Sequence, residues 1–491
     1  MRPVLRITFL FSVIFVLIFS LGFAWTTPRR VINDYDNHNA MGLAIGDTLH
    51  VVNSGVNRLF YLFSPDDGFC WSSPFQPADS FFRGGWMPDI TADSSGILHM
   101  VWMGWEYPDA VHQQIYHFSS TDGGRNWGPR HRIFYSNTYV DYPRIVAEGD
   151  SLFVLCRANF YILFIRSLDG GLTWTDSTVL DTINFMGYHP SILYSEGRLH
   201  AIYSMNIDGD SVGIEVYYRS SDDFGLSWAP RIPLSTAERL PHIVDSQGPS
   251  AYADTEGHVV IAWFDYKYGS YCGVTGDILA RVSTDNGTSW FAESRLTYSQ
   301  SGGASSCLII KNIINVVWED GWPDGCSYPK IEYATSSDWG QTWSVAEIIT
   351  GPDIRAEMAP MLFCNFQGDD TLFHCLFDVN FATYYMRDRE FVTNVGPIQE
   401  VRRKILKIGA YPNVFNSSAT ITIESSEGSD VEVEIFNING QVIWRRTVSG
   451  KEGRVIWDAT DNWDVRVCSG MYFVRVRTSW AERATRLIFV K

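Results

Sequence analysis

The phrase Ser283-Thr-Asp-Asn-Gly-Thr-Ser-Trp290 recurs along this chain with only its variable positions changed. Further copies run from Ser64 to Trp71, Ser120 to Trp127, Ser167 to Trp174, Ser221 to Trp228 and Ser336 to Trp343. The shared pattern is Ser-x-Asp-x-Gly-x-x-Trp. Its Asp carboxylate can accept N–H groups of its own turn. Its Gly supplies a backbone angle that other residues resist. Its Trp brings a large apolar face and one N–H donor into a buried strand. The phrase reads as a hairpin tip, repeated at the period of a repeat architecture.

A longer unit surrounds each copy. Second strands align as Leu49-His-Val-Val, Leu98 to Trp102, Leu152 to Cys156, Leu199 to Tyr203, Val259 to Trp263, Ile314 to Trp318 and Phe373 to Phe377. First strands are entered through Pro88, Pro143, Pro190, Pro249 and Pro360, where a strand loses no ladder donor. That makes seven units of about 52 residues, a little above the usual repeat of ~40–50. The seventh, from Met358 to Arg387, lacks the phrase. The pattern resembles the Asp box of sialidases and other bacterial neuraminidase-repeat proteins. Radial repetition of four-stranded sheets is a β-propeller. Seven blades are expected; sialidases have six, and a six-bladed ring with an extra pair of strands stays open. Closure would use a strand from Pro28 to Tyr35, or Phe391 to Val395. His50, His99, His200 and His374 recur at one position in separate units, too far apart around a ring to share an ion, and are expected to be structural.

Acidic residues outnumber basic ones by 55 to 38, for a net charge of −17. That field disfavours nucleic acid and anionic membranes without excluding a local basic pocket. Arg2 and Arg6 followed by the apolar stretch Ile7 to Leu21 and by Gly22-Phe23-Ala24 read as a signal peptide, residues 1–24. A membrane anchor would need ~20 apolar residues. None of the eight cysteines forms a CxxC pair. Cys272 with Cys326, and Cys364 with Cys375, are the expected disulfides; Cys156 and Cys307 read as buried thiols.

After the propeller (residues 25–395) and a linker (396–408), residues 409–491 alternate at period two between polar turns, which predicts a small immunoglobulin-like β-sandwich. Ala410-Tyr-Pro-Asn-Val-Phe-Asn416, the Asn437-Ile-Asn-Gly-Gln441 turn and Ser469-Gly-Met-Tyr-Phe473 closely resemble the C-terminal sorting domain of type IX secretion cargo. Val414 stands where that family has a second proline. The resemblance implies export across the outer membrane by the type IX machinery, with release or surface attachment.

Strand direction alternates within a blade, so the phrase copies share one face, and their Asp66, Asp122, Asp169, Asp223, Asp285 and Asp338 should be structural, as the sialidase resemblance also implies. The opposite, loop-rich face holds the functional candidates. Catalytic candidates are Asp89, Tyr188, Asp265 and Glu319. Ligand-binding candidates are Arg83, Arg144, Arg355, Trp86, Trp105, Tyr266 and Trp322. Asp141, Tyr142, His189 and Arg157 share that face. Aromatics mixed with carboxylates and arginines suit sugars. A sialidase also needs three arginines on a carboxylate, a Tyr–Glu pair and an acid. Arg83, Arg144 and Arg355 could form such a cluster. Yet no Phe/Tyr-Arg-Ile-Pro motif opens the first blade; Arg231-Ile-Pro233 follows the fourth phrase instead. No Glu enters the fourth blade's first strand. No metal site or cofactor is expected, although Asn206 to Asp210 and Asp320 to Asp324 carry oxygen ligands that suit calcium. The sequence therefore favours a monomeric secreted or surface propeller that binds extracellular glycan or protein. A glycoside hydrolase or lyase is the alternative, and a purely structural surface module the third reading.

Overall fold

The computed structural model describes residues 25–33, 38–55, 58–77, 82–106, 112–182, 185–206, 214–235, 246–268, 276–299, 301–321, 330–350, 358–367, 370–379, 382–387, 406–412, 414–425, 431–437, 441–448, 452–462, 465–478 and 482–490. The chain divides into two compact units, up to Thr393 and from Asn394. The expected signal peptide, Cys272 and Cys326 lie outside the described residues. No helix among the described residues is long and apolar enough to cross a membrane.

Strand pairing in the first unit lays out seven antiparallel sheets in chain order, here I to VII. Their first strands are His38–Ile45, Phe82–Ala92, Val140–Glu148, Phe185–Ser195, Ser246–Ala253, Gly302–Ile310 and Met358–Gln367. Each first strand touches that of the next sheet, and the last touches the first, so the sheets close a ring. This is a β-propeller, with cores lying between neighbouring sheets. Trp102, Trp263 and Trp318 of the second strands are fully buried there. Sheet VII takes its fourth strand from the N-terminal side: Arg29–Asn33 pairs antiparallel with Ala382–Arg387.

The six phrase copies make one hydrogen-bond set. In each, the Ser hydroxyl donates to Asp Oδ1, the Gly N–H to Ser Oγ, and the N–H four residues past the Asp to Asp Oδ1, all at 2.7–2.9 Å. The tips also bond to the turns between first and second strands, as in Gly170 N–H to Asp150 O and Asn286 N–H to Gly257 O. Both turn types therefore share one face, and the ends of the second strands lie on the other.

Each tip also locks onto the preceding sheet. Trp71, Trp127, Trp174, Trp228 and Trp290 pack edge-on over Tyr385, Tyr61, His117, Phe164 and Tyr218 at 5.0–5.2 Å between centroids. Behind four of those rings stand the recurrent histidines. His50, His200 and His374 each share a 2.7 Å hydrogen bond with Tyr61, Tyr218 and Tyr385, and His99 bonds His117 at 3.1 Å. The histidines are structural because the Tyr hydroxyl under each tip needs a buried partner.

Sheet VII has no phrase of its own, but Trp25 supplies the missing ring. It packs edge-on at 6.0 Å over Tyr333 of sheet VI. Thr26 N–H then donates to Arg387 O at 2.8 Å, as Ser72, Thr175 and Ser344 N–H donate to Phe63, Arg166 and Thr335 O. The Arg387 N–H returns a bond to the Thr26 hydroxyl, as Phe63 does to Ser72. Trp25-Thr26 thus reproduces at sheet VII the packing and bonding of the phrase's Trp and the residue after it.

The thiol pairing expected for Cys364 and Cys375 does not form; both are free. Cys364 lies opposite Phe373 and Cys375 opposite Leu362. They are diagonal neighbours, about 7–8 Å apart, beyond ordinary disulfide reach. Cys156 and Cys307 are buried thiols.

The second unit packs a three-stranded sheet (Leu406–Tyr411, Ala419–Ser425, Glu452–Trp457) and a five-stranded sheet (Val414–Phe415, Val431–Asn437, Val442–Val448, Gly470–Arg477, Glu482–Phe489) on one core. Phe415, Trp444, Trp457, Val474 and Phe489 fill it. Alternation at period two produces this sandwich.

Candidate functional site

On the loop-rich face, the first strands of all seven sheets break register at one level, beside the X-Pro step where there is one. Bulges of this kind re-aim side chains beside functional sites. In sheets II, III and IV the pre-proline residues Met87, Tyr142 and His189 have φ of +54°, +49° and +49°. A left-handed residue before proline is doubly disfavoured, and strain of this sort concentrates at functional sites. The three strained residues lie in three neighbouring sheets.

They bring charged groups together. Asp89 is buried; its Oδ1 accepts the Ile90 N–H at 3.0 Å and its Oδ2 the Ile145 N–H of sheet III at 2.9 Å. Burial pushes the Asp89 carboxyl up, against the pull of Arg144 and the two N–H donors. Arg157 grips buried Asp141 with Nε at 2.7 Å and Nη2 at 2.5 Å, the planar fork geometry that only Arg offers. The same guanidinium lies 5.1 Å from the Tyr139 ring and 5.6 Å from the Tyr142 ring. His189 packs against Tyr142 at 4.2 Å. Burial, then the charges of Arg144 and Arg157, push its imidazole down to about 3. Burial pushes the Tyr142 phenol up to about 12. At neutral pH this sector therefore presents a neutral imidazole and a neutral phenol beside two guanidiniums, one already matched by a carboxylate. Such a set can hold an anionic group at Arg144 and exchange a proton at His189 or Asp89.

The other candidates fall elsewhere or differ in role. Trp86 is 44% exposed on the first strand of sheet II. Trp105 packs into the core between sheets II and III with Val101, Met103 and Ala158; its apolar ring fills that space instead of facing ligand. Asp265 is buried and accepts Trp263 Nε1–H at 3.1 Å and Lys267 N–H at 2.7 Å, which fixes its turn. Glu319 is buried at the end of the second strand of sheet VI. Next to it Asp320 accepts the hydroxyls of Ser299 and Ser301. Burial and Asp320 push the Glu332 carboxyl up to about 7, a group the sequence pattern did not single out because it sits mid-strand in the third strand. The side chains of Arg83, Tyr188 and Tyr266, and Arg355 and Trp322 altogether, lie outside the described residues, as does most of each acidic loop proposed for calcium. No cluster of three metal-ligating side chains occurs among the described residues.

Asp122 has its carboxyl held down to about 2 by the Asn126 N–H and amide, and Asp169, Asp223 and Asp338 likewise by the hydroxyl and N–H of Thr173, Ser227 and Thr342. Committed to their own turns, these carboxylates lie on the face away from the strained strands.

Residues 409–491 match the family model of the secretion system C-terminal sorting domain. The C-terminal unit is a type IX secretion sorting domain. The protein is therefore exported, to the outer cell surface or beyond, and its sorting domain engages the secretion machinery. No curated protein matches the chain. Among solved structures it is similar to a PL25 ulvan lyase at 12% identity, over 73% of this chain and 95% of that one, with TM-score 0.50. It is also similar to the GH93 α-L-arabinofuranosidase of Fusarium graminearum, at 11% identity over 74% and 97% with TM-score 0.48, and to NanB sialidase from Streptococcus pneumoniae, at 12% over 72% and 68% with TM-score 0.40. At such identities the ulvan lyase shares a fold with this chain, and a fold does not fix an activity.

Proposed function

We propose that residues 25–395, freed of a signal peptide at 1–24 and joined by the linker 396–408 to the sorting domain, form a seven-bladed Asp-box propeller that binds an extracellular polysaccharide through the mouth of sheets II to IV. The observation that carries this reading is the meeting of Asp89, Arg144, Tyr142, His189 and the Arg157–Asp141 pair at three strained strands. A guanidinium beside phenols and a neutral imidazole suits a sugar that bears a carboxylate or sulfate. Of the three arginines that the sialidase pattern would use, Arg144 is the one whose side chain lies among the described residues. A second reading, a polysaccharide lyase or glycoside hydrolase, is favoured by Asp89 and His189. Asp89 is buried and His189 half-buried, and their surroundings hold both towards their neutral forms, which suits them to proton transfer.

The test is a glycan array together with ulvan, arabinan and fluorogenic sialoside substrates, run on the full chain and on Arg144→Ala. Binding lost in the variant supports the mouth. Formation of unsaturated or reducing ends, lost in Asp89→Asn or His189→Gln, makes it an enzyme. Silence in every assay rejects the glycan reading.

A further inference from the structure

The wall around the mouth is uneven. In sheet III only Asn159 and Phe160 join the second and third strands (Ser151–Ala158 and Tyr161–Ser167). The corresponding connections of the flanking sheets are residues 107–113 and 207–214. The short hairpin is pinned: Asn159 takes φ +51° and donates its N–H to Tyr139 O at 2.8 Å. Sheet III therefore has the shortest of these three connections. Two-residue joins also occur in sheets I and VII, at 56–57 and 380–381, but among the described residues of these three sectors it is that of sheet III which is paved with exposed rings.

Those rings are Tyr139 (47% exposed), Phe160 (50%), Tyr161 (42%) and, from the outer strand of sheet II, Tyr135 (42%). Strand order fixes their sequence from centre to rim. Tyr139 precedes the inner first strand, Phe160 tips the second hairpin, Tyr161 opens the third strand, and Tyr135 ends an outer fourth strand. Tyr135 and Tyr139 are four residues apart in the chain, so their Cα atoms lie within about 14 Å of each other. Scattered single apolar residues on a surface mean nothing, but four aromatics in one sector that starts at the mouth form a track. Guanidiniums stand among them, Arg157 at 5.1 Å from the Tyr139 ring and Arg132 at 5.5 Å from the Tyr135 ring, and the His112 ring packs 5.5 Å from Tyr135.

We infer that this sector is a groove through which a polysaccharide chain leaves the mouth, so that the protein recognises an internal run of several sugar units and not a terminal sugar. The inference rests on the glycan reading of the mouth. Sugar rings have apolar faces that lie on aromatics and hydroxyl or acidic edges that meet guanidinium and imidazole. The track begins at the mouth, where the Arg157 guanidinium lies against Tyr139, so its occupant is the same chain that the mouth holds.

The experiment measures affinity of the full chain for ulvan, linear arabinan and polygalacturonate, each as polymer and as its disaccharide, by affinity electrophoresis and calorimetry. The variants are Phe160→Ala with Tyr161→Ala, Tyr135→Ala, and Arg144→Ala. Because the four rings are exposed, circular dichroism should show unaltered folding. The expected result is tighter binding of one polymer than of its disaccharide, and about a tenfold loss per ring removed for the polymer alone. Hydroxyl-radical footprinting should show Tyr139, Phe160 and Tyr161 protected by the polymer. Equal affinity for polymer and disaccharide overturns the groove. So does a polymer affinity that Arg144→Ala abolishes and the ring variants leave intact, though that result keeps the mouth. Absence of binding to all three polymers and disaccharides removes mouth and groove together.

Discussion

Gly124 has φ +81°, and a Cβ built on it would sit 1.7 Å from the Tyr61 hydroxyl of the preceding sheet. Its neighbour Gly123 is also left-handed, at +69°, yet meets only the Arg125 guanidinium at 3.6 Å. The pair separates two reasons for glycine. Gly123→Ala should cost about 1 kcal/mol, the backbone penalty alone. Gly124→Ala should cost about 3 kcal/mol or more, because strain and overpacking add. Urea midpoints of the two variants decide it; equal losses would mean that Tyr61 yields freely. The turn requirement was legible in the repeated Ser-x-Asp-x-Gly-x-x-Trp. The packing requirement was not, since the side chain that presses on each of these glycines, a ring at five and Val282 at Gly340, belongs to another sheet.

At the scale of the element, Trp25-Thr26 completes sheet VII as Trp-Ser and Trp-Thr complete sheets I, III and VI. Trp25-Thr26 and the strand Ala382–Arg387 that it bonds sit at opposite ends of the propeller sequence, so no sequence window contains both, and the seventh unit reads as lacking the phrase. The strand Arg29–Asn33 that follows seats Ile32, 2% exposed, against Leu49, Leu376 and Tyr385. Ile32→Ala should therefore destabilise the propeller by about 2–4 kcal/mol. Trp25→Ala should cost about 2 kcal/mol, less than a fully buried Trp would. Both losses should appear in the same unfolding transition, followed by Trp fluorescence. A separate early transition in either variant would mean that the N-terminal strand is an appendage and not part of the ring. The diagonal offset of Cys364 and Cys375 teaches the same lesson from the other side. Flanking one hairpin is visible in sequence, whereas register, on which a disulfide depends, is fixed by pairing.

At the scale of the molecule, ring architecture was legible because a period repeats, while the site was only partly legible because it is assembled from three units that differ. Asp89, Arg144 and His189 were singled out by face; Phe160 and Tyr161 were not, because nothing in a two-residue join marks its rings as exposed. The ring also has a whole-molecule consequence for pH. Under the tips, burial pushes His50 and His200 down to about 4, and His117 and His374 to about 3. Unfolded, each titrates near 6.5. The unfolded chain thus binds more protons below pH 6.5, so stability rises with pH there. The contribution of these groups is complete above about pH 6.5 and is lost progressively as pH falls towards 3–4. By pH 5 the loss is on the order of 1–2 kcal/mol per histidine. Glu332, pushed up to about 7, acts in the opposite sense, since the folded state binds its proton first. A variant comparison removes that ambiguity. His374→Gln deletes one titrating group from both states, so its urea midpoint should fall less steeply than the wild type's between pH 7 and pH 5, although it starts lower for want of the Tyr385 bond. Parallel midpoint curves for the two proteins would mean that His374 takes up its proton without unfolding, and that the ring tolerates a charge beneath its tips.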